Sequence, residues 1–319
     1  MHIAIDAQLL NTDRGYRSAG VSNYSRQLLA ELGRLALAGP TAIDLTAYVS
    51  TPSFEAPGVQ IVYTGRLFQH PAARALWEQM WLPRQVQADR ADLVHGLVNV
   101  LPLATGTPGV VTVHDLSFLH MPDKFLPAKR AYLARLCAAS SRQARQVIAV
   151  SRQTADDLVA CFQVPASKIH VIHNGVAPRF QPAHPASVED FRRRSGLPAR
   201  YLLYLGTLEP RKNLVRLVRA FAAWRSAATL AGQDIKLVIA GAKGWYYDEI
   251  FGEVRRQQLD GHVLFPGYVA DNLLVLAREA SLDREDIVRI VGNGFRLAWL
   301  DEPDRRAYLE RLEVWVAAH

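Results

Sequence analysis

Short apolar runs alternating with longer amphipathic stretches constrain this chain more than any other feature. A strand buried on both faces reads as a continuous apolar run, and a helix that covers it repeats its apolar residues every three or four positions. The run at residues 2–6, HIAID, predicts a buried strand. Residues 23–37 predict a helix with Leu28, Leu29, Leu32 and Leu35 on one side. Strands are predicted again over 43–49, 59–63, 93–95, 109–113, 147–150 and 169–172, and helices over 72–88, 129–145 and 153–162. The helix at 72–88 carries Leu76, Met80 and Trp81 on one side, and Ser151 is an N-cap for the helix that follows it. Such alternation predicts an α/β fold with parallel strands.

The texture changes at Pro178, Pro182 and Pro185, a density of proline that predicts an interdomain linker. A second α/β series follows, with strands over 201–205, 236–240 and 263–265 and helices over 214–226 and 246–258. Beyond Asn272 the pattern changes again, with helix starts at 281–286 and at Asp301, where Pro303 sits in the first turn. The expected division is a first domain over 1–177, a linker over 178–199, a partial second domain over 200–272 and a helical tail over 273–319.

Composition narrows the function classes. A chain of 319 residues has enough length for two domains with cores of their own. Its formal charge of +7 suits phosphate-bearing substrates, anionic lipid or nucleic acid. The arginines are scattered, with no dense basic run interleaved with aromatics, so nucleic acid is not expected as a partner. Two cysteines, Cys137 and Cys161, cannot staple a domain of this size, and a reducing cytoplasm is the expected compartment. No apolar run reaches membrane-spanning length, and MHIAID does not read as a leader. His170 and His173 lack metal-ligand spacing, and no metal is expected.

The chemistry-bearing residues lie where predicted strands hand over to helices. The segment GTLEPRKNL from Gly206 follows a strand and opens a helix. Gly206, Thr207 and Glu209, with the cations Arg211 and Lys212, fit an anion site at a helix N-terminus, and they fit a solvated helix start equally well. Gly20 and Val21, between the first strand and first helix, fit close backbone approach to a ligand or an ordinary turn. His114 and Asp115 end a strand, where ligands of open parallel sheets gather, though a lone histidine there also serves as a structural hydrogen-bonder. Asn174 and Gly175 form a turn signal.

These pieces occur in one order. The chain resembles glycosyltransferase family 4, in particular its bacterial mannosyltransferase-like branch. The resemblance is carried by MHIAIDAQLL with the Gly20 loop, TVHDLSFLHMPDKF around His114, VIAVSRQTADDL, KIHVIHNGV with Asn174, LGTLEPRKNL, VIAGAKGW with Gly241, and VLFPGYV, over roughly residues 1–269. It implies a GT-B fold, two Rossmann-like domains facing a cleft, and retention of anomeric configuration. By resemblance, Arg211 and Lys212 hold the leaving diphosphate without a metal or cofactor, His114 contacts the transferred sugar, and Gly20 borders diphosphate and acceptor. Val21, Asp115, Asn174, Gly206, Thr207, Glu209 and Gly241 complete the expected donor and acceptor contacts. The implied partners are a nucleotide-sugar donor and a glycan or polyprenyl-linked acceptor, with peripheral contact at the inner face of a membrane.

The family pattern then breaks. Ala270–Asp271–Asn272–Leu273 begins the expected turn, but no EGFG segment with its two glutamates follows. Glu302 and Glu310 share the spacing, yet Pro303 and the charged context mark a solvated helix, with Tyr308, Leu312, Trp315 and Val316 as its apolar stripe. The tail LDREDIVRIVGNGFRLAWLDEPDRRAYLERL resembles the C-terminal helices of adenosine deaminase-type amidohydrolases and brings none of their zinc ligands. The expectation is a glycosyltransferase or, alternatively, a catalytically impaired remnant or fusion that folds and binds.

Overall fold

The computed structural model describes residues 1–12, 20–39, 43–176, 183–226 and 234–267, together with Arg306 and Glu310. The expected helix starts and apolar stripe of the tail lie outside the described residues; Glu310 itself is helical and exposed. The chain divides into two compact units, Met1–Val176 and Ala177–His319.

The first unit is built on seven parallel strands among the described residues: β1 (His2–Asp6), β2 (Asp44–Val49), β3 (Gln60–Tyr63), β4 (Leu93–Gly96), β5 (Gly109–Val113), β6 (Gln146–Ala149) and β7 (Ile169–Val171). Their order is β3-β2-β1-β4-β5-β6-β7. The chain winds outward from β1 to β3, returns to place β4 beside β1, and winds outward again. The β1–β4 junction is therefore the point where strand order reverses, and the crevice beyond the carboxyl ends there is the expected ligand position of such a sheet. Helices α1 (Val21–Ala38), α2 (Pro71–Met80), α3 (Leu82–Ala88), α4 (Ser117–His120), α5 (Pro127–Gln143) and α6 (Arg152–Phe162) accompany it. Two apolar clusters fill this unit. One gathers around Trp77, Leu82, Val111 and Phe118, the other around Ile5, Leu10, Leu29 and Leu45.

Three local expectations change. The single helix predicted over 72–88 is two helices meeting at Trp81, because Pro83 has no N–H to continue the ladder. Leu76, Met80 and Trp81 do share an exposed side, being 51%, 44% and 46% accessible. The buried face of α2 carries Trp77 and the charged Glu78 instead. The proline-rich stretch is not wholly irregular, since Pro185 opens the helix α7 (Pro185–Arg194) at a first-turn position where its missing N–H costs nothing. Ser151 behaves as predicted: its hydroxyl accepts from the Thr154 N–H at 3.1 Å and caps α6.

The second unit contains β8 (Tyr201–Leu205), α8 (Leu214–Ser226), β9 (Lys236–Ala240), α9 (Asp248–Arg256) and β10 (Val263–Gly267). Its described strands form a parallel sheet in the order β10-β9-β8. Leu214, Val218, Phe221 and Trp224 of α8 pack with Leu237, Ile239 and Val254. Glu253, buried on α9, is gripped by Arg219 through Nε at 2.9 Å and Nη2 at 3.1 Å, by Arg256, and by Gln257 at 2.9 Å. These donors, Arg219 first, hold its carboxyl down at about 2.

Candidate functional site

In the first unit, His114 follows β5 directly and is held at several atoms. Its backbone N–H donates to Asn99 Oδ1 at 3.0 Å, and its carbonyl accepts from the Thr154 hydroxyl at 3.2 Å. Its Nε2 lies 3.0 Å from the Leu97 carbonyl oxygen. A carbonyl only accepts, so the proton sits on Nε2 and Nδ1 carries the lone pair. Burial lowers the pKa of His114, against the opposing pull of the Leu97 bond and the Asp115 charge. The neutral ring can thus accept a hydrogen bond from a hydroxyl.

A chain of contacts extends from this ring. Tyr24 of α1 meets it edge-on at 4.7 Å, and the Tyr24 hydroxyl lies 3.3 Å from Thr112 Oγ1. His95 Nε2 lies 2.9 Å from the same oxygen, and burial drives the His95 pKa down to about 4. Asn99 adopts φ +61° and donates its N–H to the Thr112 carbonyl at 2.8 Å, the left-handed turn that aims its side chain at His114. Sequence reasoning missed Tyr24, His95 and Asn99, which have no motif of their own, and passed over Thr112 at the head of the motif around His114. The Asn99 turn was the findable signal, since asparagine tolerates positive φ.

The other first-unit candidates divide. Gly20 precedes α1 at φ +52°, with nothing within 4 Å of where a Cβ would stand, and Val21 is the first helical residue. The glycine is required by backbone conformation rather than by crowding. Asp115 accepts from the Ser117 N–H at 3.0 Å and from its hydroxyl at 2.5 Å, fastening the start of α4. Asn174 is exposed beyond β7.

In the second unit, the carboxyl ends of the strands meet through glycines. The Gly206 N–H donates to Ala240 O at 2.9 Å, and the Gly241 N–H to Gly267 O at 2.8 Å. A Cβ on Gly241 would stand 1.9 Å from the Gly206 carbonyl oxygen, so only glycine allows these loops to touch. The Thr207 carbonyl is held by the Tyr204 hydroxyl at 3.3 Å.

Helix α8 does not open at this glycine. Between them lie a short 3₁₀ turn, Pro210–Lys212, and Asn213 in a left-handed conformation. Leu214 then begins α8, whose first N–H groups have no partner within the helix. The two cations differ. Arg211 Nη2 lies 2.7 Å from Glu209 Oε1, and its guanidinium sits 5.9 Å from the centre of the Trp245 ring. Glu209 is 4% exposed, so this is not a solvated helix start. Arg211 is anchored by its neighbours, whereas Lys212 is exposed in the 3₁₀ turn that follows the Gly206 loop.

The profile of Glycosyltransferase Family 4 matches residues 19–180, and that of Glycosyl transferases group 1 matches residues 187–282. In sequence the chain is similar to O-antigen chain mannosyltransferase B of Escherichia coli, at 26% identity over 163 residues, 51% of this chain and 42% of that protein. It thus spans less than half of that relative's length. A minor match, 40% identical over 55 residues, relates 17% of this chain, in its tail, to 16% of an adenine deaminase of Rhodopseudomonas palustris (strain BisB18). Among solved structures, sucrose-phosphate synthase from Thermosynechococcus elongatus superimposes with TM-score 0.64 at 19% identity, covering 92% of this chain and 79% of that one. Anabaena HepE in complex with UDP-glucose gives TM-score 0.61 at 16% identity, with the same coverage of 92% and 79%. These likenesses bear out the GT-B fold class expected from the sequence.

Proposed function

The chain belongs to Glycosyltransferase Family 4, and from that premise we propose that it is a retaining transferase of a sugar, mannose first, from a nucleotide-sugar to a glycan or lipid-linked acceptor. The observation that carries the donor half of the reading is the contact of Gly241 with Gly206, in a loop that continues into the exposed Lys212. Bare backbone at the carboxyl edge admits a diphosphate closely, and an ammonium free of an internal partner among the described residues offsets the charge that grows as it leaves. Glu209 acts in this reading through Arg211, which it anchors. His114, neutral and carrying a lone pair on Nδ1, suits a sugar hydroxyl better than a phosphate oxygen. The relatives lend support of their own kind: one is named a mannosyltransferase, and another was solved with UDP-glucose.

Charge neutralisation by protein groups makes the proposed reaction independent of metal, so excess EDTA leaves turnover unchanged. Retention is checked by the anomeric proton coupling of the product. Among the described residues no helix is long and apolar enough to cross a membrane. Peripheral contact with an anionic inner leaflet is favoured by Leu76, Met80 and Trp81 on the outer side of α2, with the exposed Arg84 beside them. Co-sedimentation with phosphatidylglycerol vesicles, lost in Leu76→Ser/Trp81→Ser, tests it.

A second reading has an observation of its own: the sequence contains no EGFG segment with its paired glutamates. Without those glutamates the donor loses its sugar and ribose contacts, each worth about 1.5–3 kcal/mol. The chain would then be a remnant that folds but binds donors weakly. Isothermal titration with GDP-mannose, UDP-glucose and GDP separates the readings. Micromolar donor binding excludes the remnant, and absence of binding for all three excludes the transferase.

A further inference from the structure

Asp6 is the last residue of β1, at the β1–β4 reversal of the first sheet, and it is 8% exposed. Among the described residues no cation forms an ion pair with its carboxyl. Among the described residues its hydrogen bond comes from the Gln8 N–H, at 3.3 Å to one oxygen. The nearby guanidinium of Arg74 is taken by Glu78, with Nε 3.1 Å from Oε1. The second oxygen of Glu78 accepts from the Tyr132 hydroxyl at 3.1 Å. Glu78 and Arg74 come from α2 and the neutral phenol of Tyr132 from α5, so a buried ion pair and a hydroxyl lie near the end of β1. Burial first, and then the Glu78 charge, push the Asp6 pKa well above the ordinary carboxylate range; Gln8 and Arg74 oppose them. A carboxyl kept this dry and this poorly paired costs stability, and such groups persist where a ligand uses them.

We propose that Asp6 is the hydroxyl-binding carboxyl of an acceptor subsite beyond β1 and β4, taking one ring hydroxyl of a sugar. The subsite rests on the transferase reading for its acceptor, though not for its chemistry. Glu78, Arg74 and Tyr132 are its positioning residues. A carboxyl donates to a hydroxyl oxygen when protonated and accepts from its hydrogen when ionised, which suits a polyol and not an anion.

Stability separates this from a structural role. Folding raises the Asp6 pKa, so its contribution is favourable below the unfolded value near 3.8 and is lost as pH rises. Asp6→Asn, isosteric and unable to ionise, therefore raises Tm at pH 7 and gives no gain at pH 3. A structural carboxylate gives the opposite at pH 7, a loss of Tm, and that result overturns the proposal.

The ligand is tested on the wild-type chain labelled with ¹³C at aspartate carboxyls. Methyl α-mannoside, methyl α-glucoside and methyl α-galactoside are the probes. The Asp6 resonance, identified by its disappearance in Asp6→Asn or by its downward-shifted midpoint in Glu78→Gln, titrates above the usual aspartate range. At least one glycoside displaces it, and Asp6→Asn weakens that glycoside's binding about tenfold. An Asp6 resonance with an ordinary midpoint, or one that no glycoside moves, overturns the subsite. Parallel calorimetry with GDP-mannose and UDP-glucose keeps the two readings apart. A responding Asp6 in a chain that binds neither nucleotide leaves the subsite standing and removes the transferase. Nucleotide binding with a silent Asp6 does the reverse.

Discussion

At the carboxyl edge of the first sheet the polar groups are held by close partners: Asp6 is buried, His95 is half-buried on Thr112, and His114 is half-buried between Leu97, Asn99 and Tyr24. At the corresponding edge of the second, backbone glycines touch and the loops that carry them hold the exposed lysines Lys212 and Lys243. The difference follows from ligand chemistry. Hydroxyls are recognised by donors and acceptors of fixed direction, which need a rigid shell. A diphosphate is recognised by charge and close backbone approach, which need little side chain at all.

The sharpest test of this contrast lies between the two adjacent cations. Lys212→Ala is expected to reduce sugar transfer by about 10²–10³-fold, the scale of losing one charge-stabilising donor. Arg211→Ala is expected to reduce it less and to lower thermal stability, because buried Glu209 loses the guanidinium 2.7 Å away. Equal kinetic losses without any change in Tm would remove the distinction between anchored and exposed cation.

The two glycine loops should break differently. Gly241→Ala drives a methyl into the Gly206 carbonyl and is expected to destabilise the second unit by about 1–3 kcal/mol in urea unfolding. Gly20→Ala has open space and suffers only its left-handed φ, a cost of about 1 kcal/mol in the first unit. Reversed magnitudes would mean that crowding rules the first edge and conformation the second.

A smaller effect tests the rigid shell. Asn99→Gly keeps the left-handed turn but removes the oxygen that accepts from the His114 N–H. Transfer is expected to fall about tenfold with Tm nearly unchanged, the scale of one lost hydrogen bond. Unchanged kcat and KM would make the clamp irrelevant.

The smallest effect concerns the support beneath the second edge. Glu253 has its pKa lowered to about 2, so its contribution is complete above the unfolded value of 4.5 and fades as pH falls through about 2. Glu253→Gln is expected to cost about 1 kcal/mol at pH 7, discounted because Arg219 and Arg256 are half-exposed, with that cost shrinking as pH falls towards 2 and gone below it. A constant penalty across that range would show packing, rather than charge, at work.

Much of this architecture was legible in the chain. The strands at 109–113, 201–205 and 236–240 and the helix at 214–226 lie where periodicity put them, because a sheet covered by helices requires long apolar runs and regular amphipathic spacing. The order of motifs from His114 to Gly241 named the family. Burial at α2 was not legible. Its helical spacing is consistent with either face inward, and Glu78 with Arg74 won the interior because each could satisfy the other there.

The sequence by itself therefore determined the elements, their alternation and the family, since these depend on local period and motif order. Only the tertiary structure decided which charges are spent. It bound Arg211 to Glu209 and left Lys212 exposed, fixed the His114 proton on Nε2, and buried Asp6 near the Arg74–Glu78 pair. A residue's charge is written in its side chain, but its solvation and its partner come from segments far away along the chain.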